Sequence, residues 1–148
     1  MNWHLKSFEE LTNDQLYKIM KARVDVFVVE QSCPYPELDD YDQIAMHYFL
    51  EIDQNIAAYV RLMPANSRYE LASIGRVIVT KPYRHNGYAR DIMEKAKAYI
   101  VQEWQETQIK IQAQQYLQNF YESLGFEQIS DMYLEDNIPH IDMVWQLK

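Results

Sequence analysis

Glycine is scarce in this chain: its 148 residues hold three, Gly75, Gly87 and Gly125. That excludes the Gly-x-Gly-x-x-Gly loop of dinucleotide-binding folds, and no Gly-Lys-Ser/Thr is present for a nucleoside-triphosphate loop. Cysteine occurs once, as Cys33, so an internal disulfide is ruled out and no metal-binding cluster can form around it. No apolar run approaches the roughly 18 residues of a membrane-spanning helix. The opening Met1-Asn2-Trp3-His4-Leu5-Lys6 lacks the hydrophobic core of a signal peptide. Lys and Arg are missing altogether from Asp25 to Val60, a stretch that carries eight acids. Repeats, low-complexity tracts and linkers are absent as well.

What is present fits one globular domain spanning residues 1–148. Apolar residues make up 48% and charged residues 24%, a mixture that argues against wholesale disorder. A chain of this length buries on the order of 70% of its unfolded surface, enough to fold without disulfide or metal. The expectation is a soluble, reduced, cytoplasmic protein with no membrane partner. The net charge of −8 disfavours nucleic acid, whose binding needs Lys and Arg at phosphates. Within this acidic chain, Arg76, Lys81, Arg84, Arg90, Lys95 and Lys97 form a basic island with two acids among them. Such an island suits a small phosphorylated ligand, the alternative being an ordinary solvated helix face.

Patterning supplies the elements. Residues 2–7 read as a strand, and Thr12-Asn13-Asp14-Gln15 has the form of a capping box flanked by the staple pair Leu11 and Leu16. The helix that follows carries Leu16, Ile19, Met20, Val24 and Phe27 on one face. Arg23 falls seven after Leu16 and Glu30 seven after Arg23, on that same face. Residues 31–46, with two prolines, read as loop or broken helix. Strands are expected at 47–52 and 56–63, joined by a turn at 53–55, and at 71–80. A helix runs from Gly87 to about Trp104, then a strand at 108–113. A short helix ends at Gly125, placed as a C-terminal cap, and strands follow at 126–129 and 141–147. Strands alternating with helices indicate an α/β domain with a mixed sheet.

Arg84-His85-Asn86-Gly87-Tyr88-Ala89 sits after a strong strand and opens a strong helix, where free N–H groups and the positive end of a helix dipole suit phosphate. The sextet resembles the Arg/Gln-x-x-Gly-x-Gly/Ala pyrophosphate loop of the GNAT superfamily of N-acetyltransferases. Tyr121-Glu122-Ser123-Leu124-Gly125-Phe126 is similar to that family's C-terminal Tyr-x-x-x-Gly-Phe segment, at the usual separation. The stretches Arg23 to Gln31, Cys33-Pro34-Tyr35, Ser73 to Val77 and Tyr133 to Ile141 resemble its small ElaA-like branch. Ala89 replaces the commoner second glycine, and Gln114 stands where many members place a coenzyme-A-binding asparagine.

The resemblance implies a mixed, mostly antiparallel central sheet flanked by helices and splayed at the acyl-CoA site. It implies acetyl-CoA as acyl donor, no metal, and transfer to a primary amine of a small molecule or peptide by direct attack on the thioester. The loop Arg84, His85, Asn86, Gly87, Tyr88 and Ala89, with Arg90, would hold the pyrophosphate. Val77, Ile78 and Val79 would bind the pantetheine arm, with the Val79 N–H near the thioester oxygen, and Gln114 would touch coenzyme A. Tyr121 would be the general acid that protonates the leaving thiolate. Glu30, His47 and His140 are the candidate bases. Arg23, Phe27, Glu30 and His140 are candidates for the acceptor pocket, with Arg23 and Glu30 as a buried ion pair, since a buried charge is costly unless paired. An acetyl-cysteine route through Cys33 is set aside for direct transfer. The acid block falls on the expected acceptor wall and so favours a cationic amine. A homodimer is left open. Two other readings stand beside this one: a coenzyme-A-binding module without turnover, and acyl transfer like that of acyl-homoserine-lactone synthases.

Overall fold

A computed structural model describes all 148 residues. Its strands are β1 (Asn2–Ser7), β2 (Met46–Ile52), β3 (Asn55–Met63), β4 (Ala72–Val79), β5 (Gln108–Gln114), β6 (Phe126–Gln128), β7 (Tyr133–Glu135) and β8 (Ile138–Gln146). The helices are α1 (Asn13–Arg23), α2 (Tyr88–Gln102) and α3 (Gln118–Ser123). One sheet holds all eight strands in the order β1-β2-β3-β4-β5-β8-β6, with β7 paired to β8. Every pairing is antiparallel except β4 with β5. No helix is long and apolar enough to cross a membrane.

The strand period of two sorts side chains between the sheet faces. Ala58, Val60 and Leu62 of β3, Ala72 and Ile74 of β4, Ile109, Ile111 and Ala113 of β5, and Ile141 and Met143 of β8 form one buried apolar face. The amphipathic α2 packs on it through Ile92, Met93, Ala96 and Ile100, and α3 through Tyr121, followed by Leu124 at its C-cap. The opposite face carries α1, whose Ile19 and Ala22 pack on Phe49, Tyr59 and Ile78. That face is otherwise polar: His47, Arg61, Ser73, Lys110, Gln112, Gln114, His140 and Asp142 share it by register.

Local sequence sets several boundaries. The Thr12 hydroxyl accepts from the Gln15 N–H while the Gln15 side chain accepts from the Thr12 N–H, so the capping box forms as its pattern predicts. Gly125, at φ +93°, takes the left-handed turn that ends α3. With so few glycines, other residues fill the left-handed positions. Asp53 and Gln54 turn the β2–β3 hairpin, and Asp136 and Asn137 turn a β7–β8 hairpin, all at positive φ. The strand β7 was not among the expected elements, and β8 begins three residues before the expected 141.

Past Arg23 the helix widens into a π-turn over Val24–Glu30. Its i→i+5 bonding takes more residues per turn than an α-helix, so seven residues no longer complete two turns. Arg23 therefore faces inward, fully buried, while Glu30 faces the surface. The expected Arg23–Glu30 ion pair does not form.

Candidate active site

The sheet opens between β4 and β5. These strands pair only at Ala72–Ile109 and Ser73–Lys110, then diverge. A cleft of about 700 Å³ occupies the gap and passes from one face of the sheet to the other. Leu117, Phe120, Tyr121 and Ala89 line its α2/α3 side. Arg61, Arg68, Tyr69, Gln112, Gln114 and His140 line the side that carries α1.

Two backbone features shape the α2/α3 side. In β4, Arg76 and Val77 together oppose Val60, a bulge whose first residue is held at φ +52°. Past the bulge the ladder resumes with the Thr80 N–H donating to the Ala57 carbonyl. Antiparallel alternation then turns the amide of Val79 away from β3, toward the gap. Its carbonyl is taken by Arg84 Nε at 2.8 Å, and β5 does not pair with it there. Next comes the turn into α2, where His85 and Gly87 are both at positive φ. Gly87 is the N-cap, and no side chain caps the helix. The first-turn N–H groups, which an α-helix cannot satisfy internally, are left for another acceptor. Strained backbone gathered at one site in this way is typical of functional positions.

The basic island divides. Lys97 is buried, with Nζ donating to the Leu124 carbonyl at 2.8 Å and lying over Trp145, so it caps α3. Lys95 lies over Trp3. Arg76 belongs to a carboxylate network, and Arg84 Nη2 meets Glu30 Oε2 at 2.9 Å. Arg90 donates to the Ser123 hydroxyl at the end of α3, 2.6 Å away. Arg84 and Arg90 stay beside the Gly87 turn, and Lys81 is exposed on the segment leading into it, so half of the island is structural.

Most of the acid block is likewise spoken for. Arg23 donates through Nε to Glu37 (2.7 Å) and through Nη1 to Asp42 (2.6 Å). Arg61 meets Asp39 at 2.7 Å and Asp42 at 3.1 Å, and Arg76 meets Glu37 at 2.6 Å. Three arginines thus neutralise three carboxylates. Despite the opposing effect of burial, Arg61 holds the Asp39 carboxyl below the ordinary range, and Arg23 does the same for Asp42. The expectation that these acids present a negative wall to the acceptor is therefore corrected. Arg23 does not line the cleft, whereas Phe27 does.

Tyr121 is 5% exposed and lines the cleft from α3. Burial, with a smaller contribution from Tyr116, pushes its phenol well above the usual tyrosine range, so it stays protonated. Its hydroxyl makes no hydrogen bond within the protein and is not among the fully enclosed orphan atoms. It is free to face a ligand.

The three candidate bases separate. His47 is fully buried: Nε2 donates to the Asp42 carbonyl at 3.0 Å and Nδ1 accepts from the Tyr59 hydroxyl at 2.6 Å. Burial also lowers its pKa, and it does not line the cleft. Glu30 is bound to Arg84 outside the lining. His140 does line the cleft. Its Nδ1 lies 2.7 Å from the Ile138 carbonyl, an acceptor only, so that nitrogen carries a proton and, in the neutral ring, the lone pair sits on Nε2. The ring stacks on Tyr133, whose hydroxyl donates to Asp142. Gln114, opposite His140 in the β5–β8 register, exchanges amide hydrogen bonds with Gln31. Cys33 Sγ reaches only the Asp136 carbonyl, at 3.5 Å. Arg61 and Arg68, both in the cleft, are residues the sequence reading missed. Neither belongs to a motif: a positive charge within a strand was the only signal for Arg61, and Arg68, half-buried on the loop from β3 to β4, gave none.

Residues 10–147 match the family model described as an acetyltransferase (GNAT) domain. A UPF0039 protein of Schizosaccharomyces pombe is 40% identical over 144 residues, covering 96% of this chain and 95% of the relative. The crystal structure of Escherichia coli ElaA superposes with a TM-score of 0.92 at 34% identity, over 99% of this chain and 100% of that one. An acyl-CoA N-acyltransferase from Pseudomonas aeruginosa gives a TM-score of 0.92 at 35% identity, over 98% and 99% of the two chains. This chain therefore belongs to the GNAT acetyltransferase family, in its ElaA-like branch, and is an acyltransferase.

Proposed function

We propose that the protein transfers an acetyl group from acetyl-CoA to a primary amine by direct attack on the thioester. The observation that carries this reading is the free Tyr121 hydroxyl, protonated and unpartnered, in a cleft that opens at the β4–β5 splay. The first-turn N–H groups at Gly87, with Arg84 and Arg90 beside them, would hold the pyrophosphate. Val77, Ile78 and Val79 would line the pantetheine arm, and the Val79 N–H would stabilise negative charge on the thioester oxygen as the amine attacks. Tyr121 would give its proton to the departing sulfur. His140 Nε2 is the base that the geometry supports best, its lone pair kept free by the Nδ1–carbonyl bond.

Coenzyme A should raise the melting temperature with chelator present, and a panel of amines should release thiol from acetyl-CoA. Stabilisation by coenzyme A without thiol release from any amine would favour the binding-module reading. No stabilisation at all would refute the donor site.

A further inference from the structure

Four arginines line the cleft, and carboxylates engage three of them: Arg61, Arg76 and Arg84. Arg68, on the loop from β3 to β4, has no carboxylate within salt-bridge distance. Two tyrosines hold it instead, its guanidinium carbon 5.2 Å from the Tyr69 ring centroid and 5.9 Å from that of Tyr41. Arg68 makes no hydrogen bond or salt bridge within the protein, so its N–H fork is available for a bidentate oxyanion. Lys110, on the same Tyr69 ring at 4.2 Å, is paired with Asp142.

Position indicates which substrate the fork would meet. Tyr69 touches Lys110, and Lys110 pairs with Ser73 at the root of the splay. The Gly87 turn follows the far end of β4, six residues beyond Ser73, about 20 Å at roughly 3.3 Å per residue. Arg68 is therefore remote from the pyrophosphate loop and opens on the acceptor side. The unpaired carboxylates of the cleft, Glu135 and Asp136, lie on the exposed β7–β8 turn. The acceptor side thus offers one half-buried cation without a salt bridge, on the β3–β4 loop, and exposed carboxylates on the β7–β8 turn.

We infer that the acceptor is an amine that also bears a carboxylate, and that Arg68 binds this carboxylate with its in-plane fork. The inference rests on the N-acyltransferase reading and deepens it. Arg68 is a specificity residue: the attacking nitrogen lies elsewhere in the cleft.

The test measures thiol release from acetyl-CoA on matched pairs. Each pair is an amino acid, its amine at the α position or at the chain end, and the amine left when the carboxylate is removed. Peptides with a free or amidated C-terminus form a further arm, which separates a free amino acid from a peptide carboxyl as the source. Wild-type protein should favour the carboxylate-bearing partner in kcat/KM. In Arg68→Gln that preference should fall roughly 10–100-fold, mostly through KM, as expected for losing a charged bidentate contact. Arg68→Lys, which keeps the charge but loses the fork, should fall between. Equal rates for both partners in wild-type protein, or a preference unchanged in both variants, would overturn the inference. Failure of the underlying reading looks different: no amine of either kind would release thiol.

Discussion

Replacing Tyr121 by phenylalanine keeps a ring that packs edge-on against Phe120 and Phe126, at 5.2 and 6.1 Å between centroids, and removes one hydroxyl. Because that hydroxyl makes no hydrogen bond within the protein, its loss strands no buried partner. The stability change should stay within about 0.5 kcal/mol, as for substitutions that disturb no packing. An unfolding entropy of roughly 2.1 cal/mol/K per residue gives about 0.3 kcal/mol per degree for a chain this long. The melting temperature should therefore move by less than about 2 °C. If Tyr121 protonates the leaving thiolate, kcat should fall roughly 10²–10⁴-fold, equivalent to about 2.7–5.5 kcal/mol in the barrier. The Kd for acetyl-CoA should hold, since the proposed pyrophosphate and pantetheine contacts are made by β4 and the Gly87 turn. The kcat defect should shrink with a more acidic leaving thiol, which needs less protonation. Stopped-flow thiol detection on a good amine, with calorimetric titration of coenzyme A, reads both quantities. A variant with wild-type kcat refutes the general-acid role, and a melting point lowered by 5 °C or so with turnover intact shows a structural role instead.

Arg23→Met would leave Glu37 and Asp42 to two arginines instead of three. Breaking a buried pair costs about 3–5 kcal/mol, so the melting temperature should drop by about 10–16 °C, and a loss under about 3 °C would refute the network's structural role. Gly125→Ala should destabilise more than Gly87→Ala: both strain a left-handed backbone, but only at Gly125 does the new Cβ meet Trp145, at 2.9 Å. Equal losses in thermal melts would contradict this. The lowered pKa of His47 means that the unfolded chain binds its proton more readily than the native one. Its contribution is fully present above the ordinary histidine pKa of about 6.5 and is lost as the pH falls through the lowered native value. Asp39 and Asp42 act in the same direction below the ordinary carboxylate range. Melting temperatures should thus fall from pH 7 to pH 5, with a shallower slope in His47→Gln; identical slopes would exclude His47.

Local rules made much of this protein legible before its structure. The capping box at Thr12, the cap at Gly125 and the alternating strands depend on neighbours a few residues apart, and they form where the pattern puts them. The loop Arg84 to Ala89 and the segment Tyr121 to Phe126 identified the family for the same reason: each is a short contiguous motif. β7 was hidden because Asp136 and Asn137, not glycine, take the positive φ of its hairpin turn.

The sequence by itself therefore determined most of the elements and the family. Tertiary structure decided the electrostatics of the cleft on the side that carries α1. A seven-residue spacing put Arg23 and Glu30 on one face, but a π-turn rotated them apart and gave each a different partner. The acids of residues 37–42 read as an open negative wall until β3 and β4 brought Arg61 and Arg76 beneath them. Arg61 contacts residues 19 and 22 positions away, and Arg76 and Glu37 are 39 apart. Such pairings follow from strand register, which is set by the packing of the whole sheet. Charge along a chain shows how much of each sign is present, and only the fold shows which charges cancel.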